Sequence, residues 1–217
     1  MKKSTVIISI VSGLVLLGFL FVVYALTNKP VQTDFQQVNK ISSTDHVKWA
    51  KNSKNILIEY ADFQCPACKE FHSFLSGFDA SGSANADITK KVTLVYRHFP
   101  LFQIHPNAYA SSYIAEAAGK QDKFWEMYDL LYENQTEWAP LSNPTNYFVK
   151  LAQQLKLDVE KFKADINSQE VKDKVSADLQ SGNNAGVNST PSFFYNGKKL
   201  DFQNLDEFVE MLRSGTK

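Results

Sequence analysis

The stretch EYADFQCPACKEF, residues 59–71, contains both cysteines of the 217-residue chain, Cys65 and Cys68, in a single Cys-x-x-Cys motif. A pair this close in sequence can form a redox centre, supply half of a metal site or close a small structural disulfide. A disulfide between them would close only a very short loop, which constrains the unfolded chain little. Zinc needs about four ligands, and no second Cys-x-x-Cys or histidine pair completes such a set. The motif therefore favours redox chemistry, with a metal site as the alternative.

The residues after the first cysteine predict a helix that begins at Pro66. Proline suits the first helical position because its missing N–H is not needed there. Cys65 is then the N-cap, where the positive end of the helix dipole lowers the pKa of its thiol. Cys68 lies one turn later on the apolar stripe of the helix, which consists of Phe71, Phe74, Leu75 and Phe78. We expect Cys65 to be an exposed nucleophile and Cys68 to be a shielded resolving cysteine.

The composition excludes several classes of function. Hydrophobic residues make up 44% of the chain, which is enough to build a core without covalent stapling. Lys and Arg together number 23, as do Asp and Glu, and no basic block stands out. The balanced charge gives no reason to expect a nucleic-acid partner.

The N-terminus predicts a membrane anchor. Lys2 and Lys3 precede a run without charged residues from Thr5 to Leu26, which is long enough to span a bilayer. The positive-inside rule then places the rest of the chain on the outer, oxidising side of the membrane. A cleaved signal peptide is the alternative, since Val23 and Ala25 could precede a cleavage point, although the apolar run is longer than a usual signal sequence.

The rest of the chain is predicted to form a polar stalk followed by one α/β domain. We predict an anchor over residues 1–27, a stalk over 28–53 and a domain over 54–217. Apolar strands are predicted at NILIEYADF (55–63) and KVTLVYRHF (91–99), the first of them central in a sheet. Helical periodicity fills an insertion at about residues 105–186. The dipeptide Asn196-Gly197 predicts a type I′ hairpin, and Asn204 with Glu207 resembles a capping box that begins a last helix.

Several ordered motifs carry a family resemblance. The segments IEYADFQCPACKEF, VYRHFPL, HPNAYA, AAGKQDKFWEMYDLLY and GVNSTPSFFYNGKKL occur in this order along the chain. Together they resemble the DsbA-like thiol-disulfide oxidoreductases, above all the membrane-anchored bacterial form, over residues from about 45 to 214. The resemblance implies a thioredoxin-like fold with a helical insertion, preceded here by the predicted transmembrane helix.

The resemblance also implies roles for residues outside the cysteine pair. Pro191 would be a cis-proline opposite the cysteines, turning the backbone of Thr190 toward Cys65, where it can pair with an extended substrate chain. With Thr190, Pro66 and Ala67 are the positions expected to contact substrate. Glu59 would lie beneath the redox pair as a catalytic acid, because a carboxyl group in an apolar strand has a raised pKa and can exchange a proton with Cys68. The alternative for Glu59 is a solvated acid at a strand edge.

One feature departs from the strongest oxidants of the family, which carry a histidine between the two cysteines. Here Pro66 and Ala67 occupy those positions, so the thiolate lacks that charged partner. The strength of oxidation is therefore open. The histidines His72, His98 and His105 are expected to cap, pack or face water, and His98 is the one to examine for proximity to the site.

The function expected from this reading is a membrane-anchored oxidoreductase that introduces disulfides into exported proteins with free cysteines. The resemblance implies reoxidation by a quinone-linked membrane partner of the DsbB or vitamin K epoxide reductase type. No bound cofactor is expected, because the dithiol itself carries the electrons, and the short stalk favours a monomer. The alternatives are a reductase or isomerase of the same fold, a thiol-based metal carrier, and a chaperone in which both cysteines are dispensable.

Overall fold

The computed structural model describes residues 13–24 and 37–216, apart from the side chain of residue 37. The chain divides into two units, Met1–Thr33 and Asp34–Lys217. In the first unit, residues 13–24 form a helix, α1. Among the described residues, no helix has the length and apolar character needed to cross a membrane. The predicted anchor over residues 1–27 includes positions 1–12 and 25–27, which lie outside the described residues.

The second unit alternates strands with helices and has most of its helices between two strands of the sheet. In chain order its elements are a 3₁₀-helix Gln37–Asn39, β1 His46–Trp49, β2 Asn55–Ala61, α2 Pro66–Ser76, α3 Ala86–Thr89, β3 Val92–His98, α4 Ala108–Gly119, α5 Phe124–Glu133, α6 Gln135–Trp138, α7 Thr145–Gln154, α8 Val159–Ile166, α9 Gln169–Asn184, β4 Ser192–Tyr195, β5 Lys198–Lys199 and α10 Leu205–Ser214. Helices α4 to α9 form the helical insertion and lie close to its predicted limits.

Over residues 37–216, five strands form one mixed sheet in the order β1-β3-β2-β4-β5. β2 runs parallel to β3 and antiparallel to β4, so it is the central strand. Its apolar residues are buried on both faces, Leu57 and Ala61 on one and Ile58 and Tyr60 on the other. The prediction of a central, covered strand is confirmed, and Glu59 lies on the same face as Leu57 and Ala61.

The stalk predicted over residues 28–53 is wrong in its C-terminal part. Residues 46–49 form the edge strand β1, which pairs antiparallel with β3 from His46 opposite Tyr96 to Trp49 opposite Thr93. Just before it, Asp45 accepts hydrogen bonds from Arg97 at 2.8 and 3.1 Å. These contacts make the segment part of the domain, which therefore begins before residue 54. Residues 28–36 lie outside the described part of the chain.

The C-terminal elements form as the local sequence predicts. Asn196 and Gly197 have φ angles of 50° and 79°, the left-handed values that a type I′ turn requires between β4 and β5. Asn204 caps α10 by accepting a hydrogen bond from the backbone N–H of Glu207 at 2.9 Å. The Glu207 carboxylate accepts from the N–H of Gln203, one residue earlier than a standard capping box.

Candidate active site

The Cys-x-x-Cys motif lies where β2 gives way to α2. Cys65 is the N-cap of α2, Pro66 follows it in the first turn, and the Cys65 N–H donates to the carbonyl of Asp62 at 3.0 Å. Both cysteines are free thiols. Their predicted positions, one at the end of the helix and one a turn inside it, are confirmed.

The two sulfurs have different environments. The pKa of Cys65 is lowered to about 5, chiefly by a hydrogen bond from the Cys68 thiol. Burial opposes this shift, and backbone N–H groups in the first turn of α2 add to it. Burial and the neighbouring Cys65 raise the pKa of Cys68 well above its ordinary value. Near neutral pH, Cys65 is therefore a thiolate and Cys68 a thiol. The site thus contains one activated nucleophile and one protonated partner.

The expectation that Cys65 is exposed is wrong. Only 6% of Cys65 is accessible, and Cys68 is fully buried. Cys65 is covered by the segment before β4, since its sulfur lies 3.4 Å from the carbonyl oxygen of Thr190.

The groups predicted to contact substrate surround Cys65. The Thr190–Pro191 peptide bond is cis, as the resemblance implies, and both residues are half-buried. Pro66 and Ala67 are exposed at the start of α2. The structure therefore brings Pro66, Ala67 and the Thr190–Pro191 segment together around the reactive sulfur.

Glu59 is fully buried in the central strand, and neither of its carboxylate oxygens has a hydrogen-bond partner among the residues that the structure describes. Desolvation raises its pKa to about 8, so the side chain carries a proton near neutral pH. An ionised Glu59 would raise the pKa of Cys68 further, so the two groups are close enough to interact electrostatically. The alternative of a solvated edge acid is thereby excluded. Glu59 has the surroundings that a proton-exchanging acid needs.

Three tyrosines border Glu59 and Cys68, and sequence reasoning assigned none of them to the site. We call Tyr96, Tyr128 and Tyr132 the tyrosine cluster. Burial raises the pKa of all three, and the charge of Glu59 contributes to each shift. Helical periodicity predicted helices in the insertion, but a hydrophobic stripe carries no information about where a tyrosine hydroxyl points.

Polar side chains from the insertion hold the loop that precedes Cys65. The Gln135 side-chain amide on α6 donates to the carbonyl oxygens of Phe63 and Cys65 at 2.7 and 2.9 Å. The buried Asp62 carboxylate accepts from the N–H groups of Gln64 and Leu101 at 2.8 and 2.9 Å. The redox loop is therefore fixed by the insertion as well as by the sheet.

The three histidines considered from sequence each bind a carboxylate. His72 lies 2.9 Å from Asp129, His98 lies 2.7 Å from Glu116, and His105 lies 2.7 Å from Asp62. His98 is buried at the end of β3, and its hydrogen-bonding partner is Glu116 on α4. Over residues 13–24 and 37–216, no group of three or more His, Cys, Asp or Glu side chains could hold a metal ion.

Comparison with known proteins identifies the family and several relatives of this chain. A family model described as thioredoxin matches residues 42–214. A Na⁺/H⁺ antiporter NhaA of Salinispora tropica is 33% identical over 155 residues, which cover 71% of this chain and 22% of that protein. A Na⁺/H⁺ antiporter NhaA of Herminiimonas arsenicoxydans is 30% identical over 177 residues, covering 80% of this chain and 26% of that protein. The chain thus matches about a quarter of the length of these curated relatives.

Solved structures share the fold over most of both chains. Oxidised BdbD from Bacillus subtilis superposes with a TM-score of 0.66 at 20% identity, covering 78% of this chain and 91% of its own. The α-DsbA1 protein of Wolbachia pipientis gives a TM-score of 0.67 at 21% identity, covering 82% and 94%. The chain therefore belongs to the thioredoxin family, and its fold is that of the DsbA-like proteins.

Proposed function

We propose that this protein is a membrane-anchored thiol-disulfide oxidoreductase that transfers the Cys65–Cys68 disulfide to exported proteins. The observation that carries the proposal is the division of the cysteine pair into an acidic thiol at the helix N-cap and a buried thiol of raised pKa. The first can be attacked and released as a thiolate. The second is suited to resolve a mixed disulfide and is inaccessible to outside thiols.

The reaction begins when a client thiolate attacks Cys65 of the oxidised protein. The bond between the Cys65 and Cys68 sulfurs breaks, a bond forms between Cys65 and the client, and Cys68 leaves with the electron pair. Cys68 then takes a proton from Glu59, which is the nearby acid. A second client thiolate attacks the client sulfur of the mixed disulfide, forms the client disulfide and releases Cys65 as a thiolate. The client dithiol loses two electrons, and the Cys65–Cys68 disulfide gains them and becomes the dithiol.

The low pKa of Cys65 favours oxidation over reduction. A stabilised thiolate stabilises the reduced enzyme, and this makes the disulfide a better oxidant. We expect a reduction potential less negative than about −200 mV, measured by equilibration with a glutathione buffer. A value near the roughly −270 mV of thioredoxin would assign the protein to the reductases instead.

The cellular setting is also a proposal. Lys2, Lys3 and the uncharged run from Thr5 to Leu26 support a single-pass anchor with the catalytic domain on the extracytoplasmic side of the cell membrane. The protein would act as a monomer and be reoxidised by a quinone-linked membrane enzyme of the DsbB or vitamin K epoxide reductase type. Membrane fractionation and protease treatment of intact and lysed cells test the topology. Recovery of a soluble form beginning near Leu26 would contradict the anchor and leave the chemistry unaffected.

Single cysteine variants test the assignment of the two sulfurs. Cys68→Ser removes the thiol that can attack the mixed disulfide from within the enzyme, so covalent client complexes should accumulate through Cys65. Cys65→Ser should abolish both the complexes and the activity. Nonreducing gels of acid-quenched samples detect the complexes. Complexes through Cys68 together with an active Cys65→Ser protein would reverse the assignment, and full activity of both variants would overturn the proposed function.

A further inference from the structure

The end of the sheet opposite Cys65 carries a cluster of lysines. Cys65 lies just after the C-terminal end of β2, whereas the segments before β2 and before β3 and the start of β5 lie at the other end. These segments contain five exposed lysines, which we call the lysine end: Lys51, Lys54, Lys90, Lys91 and Lys198. No Asp or Glu occurs in residues 50–54, 90–91 or 196–198. The lysine end therefore carries positive charge that its own loops do not balance.

Hydrogen bonds hold the three segments of the lysine end together. The side-chain amide of Asn55, the first residue of β2, donates to the carbonyl oxygen of Lys91 at 3.2 Å. The next residue, Ile56, donates its N–H to the side-chain oxygen of Asn196 at 2.8 Å and accepts from the N–H of Asn196 at 2.9 Å. The five lysines therefore belong to one surface.

The charges at the lysine end are unpaired. None of its five lysines forms an ion pair with another residue in the described part of the chain. Asp87, which precedes Lys90 on α3, is paired with Arg213 at 3.4 Å. Several lysines elsewhere in the domain do pair with carboxylates, as in Lys48–Asp79, Lys123–Glu126 and Lys174–Asp178. The positive charge of the lysine end is thus available to an anionic partner.

The loops around Cys65 have the opposite character. Three of them contain no Lys, Arg, Asp or Glu, namely residues 100–107, 139–144 and 187–191. The Gln64 side chain donates to the carbonyl of Ala139 at 2.9 Å and accepts from the N–H of Asn107 at 2.6 Å. The third loop reaches the site through the Thr190 carbonyl, 3.4 Å from the Cys65 sulfur. Unpaired positive charge therefore distinguishes the lysine end from the end at which clients would bind.

Within the proposed function, which supplies the membrane anchor, we propose that the lysine end docks on the anionic phospholipid surface of the membrane. Cys65 then faces away from the bilayer, toward exported clients. The five ammonium groups lie on exposed loops rather than around one pocket, which suits a diffuse anionic surface better than a single small anion. Because salt ions compete readily for exposed charges, docking is reversible and Cys65 can still reach the membrane reoxidase.

The chain that would connect the domain to the anchor is short and enters the domain beside the lysine end. The uncharged run ends at Leu26 and the first helical residue of the domain is Gln37, so residues 27–36 join them. A chain of this length spans at most about 36 Å. Soon after the chain enters, Asn39 packs against the β4–β5 turn, where a Cβ atom on Gly197 would lie 3.1 Å from its side chain. The linker would therefore keep the lysine end within reach of the lipid surface.

Two labelled forms of the full-length protein in vesicles test this orientation. Asn52→Cys places a fluorophore within the lysine end, and Ser142→Cys places one on an uncharged loop near Cys65, each in a Cys65→Ser, Cys68→Ser background. Energy transfer to a headgroup-labelled lipid reports the distance of each label from the bilayer. Adding phosphatidylglycerol to phosphatidylcholine vesicles should raise transfer from Asn52→Cys and lower it from Ser142→Cys, since the seven residues of β2 separate the two ends by about 23 Å. Unchanged transfer, or an equal rise at both labels, would overturn the proposal.

Lysine variants and salt make the test specific. Each Lys→Gln change at the lysine end should lower the ratio of docked to undocked protein about fivefold, and all five together should abolish the response to phosphatidylglycerol. Lys150→Gln combined with Lys156→Gln removes two exposed charges of the helical insertion and should leave the response at the parental level. In 1 M NaCl the Debye length falls to about 3 Å, so the response should disappear. A response that survives the five changes or the salt would overturn electrostatic docking.

Flotation of the unlabelled parent with each kind of vesicle separates this proposal from the proposed function. Flotation with phosphatidylcholine alone reports the anchor, and thiol-disulfide exchange by the same protein reports the chemistry. An anchored, active protein whose labels do not respond to phosphatidylglycerol would contradict docking alone. Flotation only with phosphatidylglycerol would support docking and contradict the anchor. Flotation with neither vesicle would contradict both.

Discussion

Glu59 and Glu116 are two buried glutamates with opposite surroundings. Within the described part of the chain, the side chain of Glu59 on β2 has no hydrogen-bond partner, and burial raises its pKa to about 8. Glu116, on α4, lies 2.9 Å from the ring nitrogen of His46 and 2.7 Å from that of His98. Burial pushes the pKa of Glu116 upward, but the hydrogen bonds from the two imidazoles outweigh it and hold that pKa well below the usual range.

The comparison shows that burial alone does not decide whether a carboxyl group is charged. Glu116 has donors for both oxygens and is a permanent anion that joins β1, β3 and α4. Glu59 has none, so it stays protonated near neutral pH and can give that proton away. One glutamate serves stability and the other is available for chemistry. Four substitutions test this difference, from the largest expected effect to the smallest.

Glu116→Ala should destabilise the protein by about 3–5 kcal/mol, because it removes two hydrogen bonds to a charged group, each contributing about 1.5–3 kcal/mol. The loss arises because the buried ring of His98 is left without its carboxylate partner. Urea unfolding followed by tryptophan fluorescence measures the change. The exposed Glu133, changed to Ala, is the control and should lie within about 0.5 kcal/mol of the parent. A loss below about 1 kcal/mol for Glu116→Ala would show that the cluster contributes little.

Glu59→Gln should change how stability depends on pH in the oxidised protein. The pKa of Glu59 is about 8 in the folded state against an ordinary value of 4.5, so the folded state holds an extra proton between these pH values. Stability from this group is complete below pH 4.5 and is lost as the pH rises toward 8. The parent should lose about 2.5 kcal/mol relative to Glu59→Gln between pH 5 and pH 7.

Urea unfolding at both pH values gives that difference, and the oxidised form removes the titration of the two thiols. Parallel pH dependence in the parent and Glu59→Gln would mean that Glu59 is ionised in the folded protein. It could not then donate a proton to Cys68.

His98→Phe should destabilise the protein by about 2 kcal/mol, as expected for the loss of one hydrogen bond to a buried charge. Phenylalanine keeps a ring among the surrounding aromatic side chains, so the loss reports the contact between His98 and Glu116 rather than packing. Unfolding of the single and double variants with Glu116→Ala forms a double-mutant cycle. Strictly additive losses would contradict a direct interaction.

His46→Phe should have the smallest effect, about 1 kcal/mol or less. The His46 side chain is 20% exposed, so water can replace its hydrogen bond to Glu116. Its ring stacks on Phe124 with centroids 3.4 Å apart, and a phenyl ring can preserve that contact. The same unfolding assay applies. A loss larger than that of His98→Phe would reverse the ranking of the two imidazoles.

The sequence predicted the parts of the site that depend on neighbouring residues. Cys65 and Pro66 fix the helix start locally, and the apolar residues around Glu59 indicate a covered strand. The Glu116 cluster could not be predicted in the same way, because its partners His46 and His98 are 70 and 18 residues away in sequence. Their meeting depends on β1 pairing with β3, and the stalk assignment had excluded β1 from the domain.

The missed strand and the missed tyrosines have separate physical causes. The four residues of β1 alternate polar and apolar side chains, but the run is so short and so polar in its surroundings that it resembles a linker with scattered aromatic residues. The helical periodicity of the insertion was predicted, but it does not show where the hydroxyl of Tyr128 lies. The positions of this hydroxyl and of the Cys65 sulfur depend on contacts between elements distant in the chain, including the Thr190 carbonyl.

The two edge strands of the sheet affect how readily the protein aggregates with its proposed clients. One edge strand, β5, consists of two exposed lysines, and the other, β1, has four residues and carries Lys48 in an ion pair with Asp79. Short, charged edges offer few free backbone groups to a passing strand. An enzyme that handles unfolded chains meets many such strands at high local concentration. Such edges disfavour templated aggregation, and under the proposed function the client backbone would pair with the segment beside Cys65 instead.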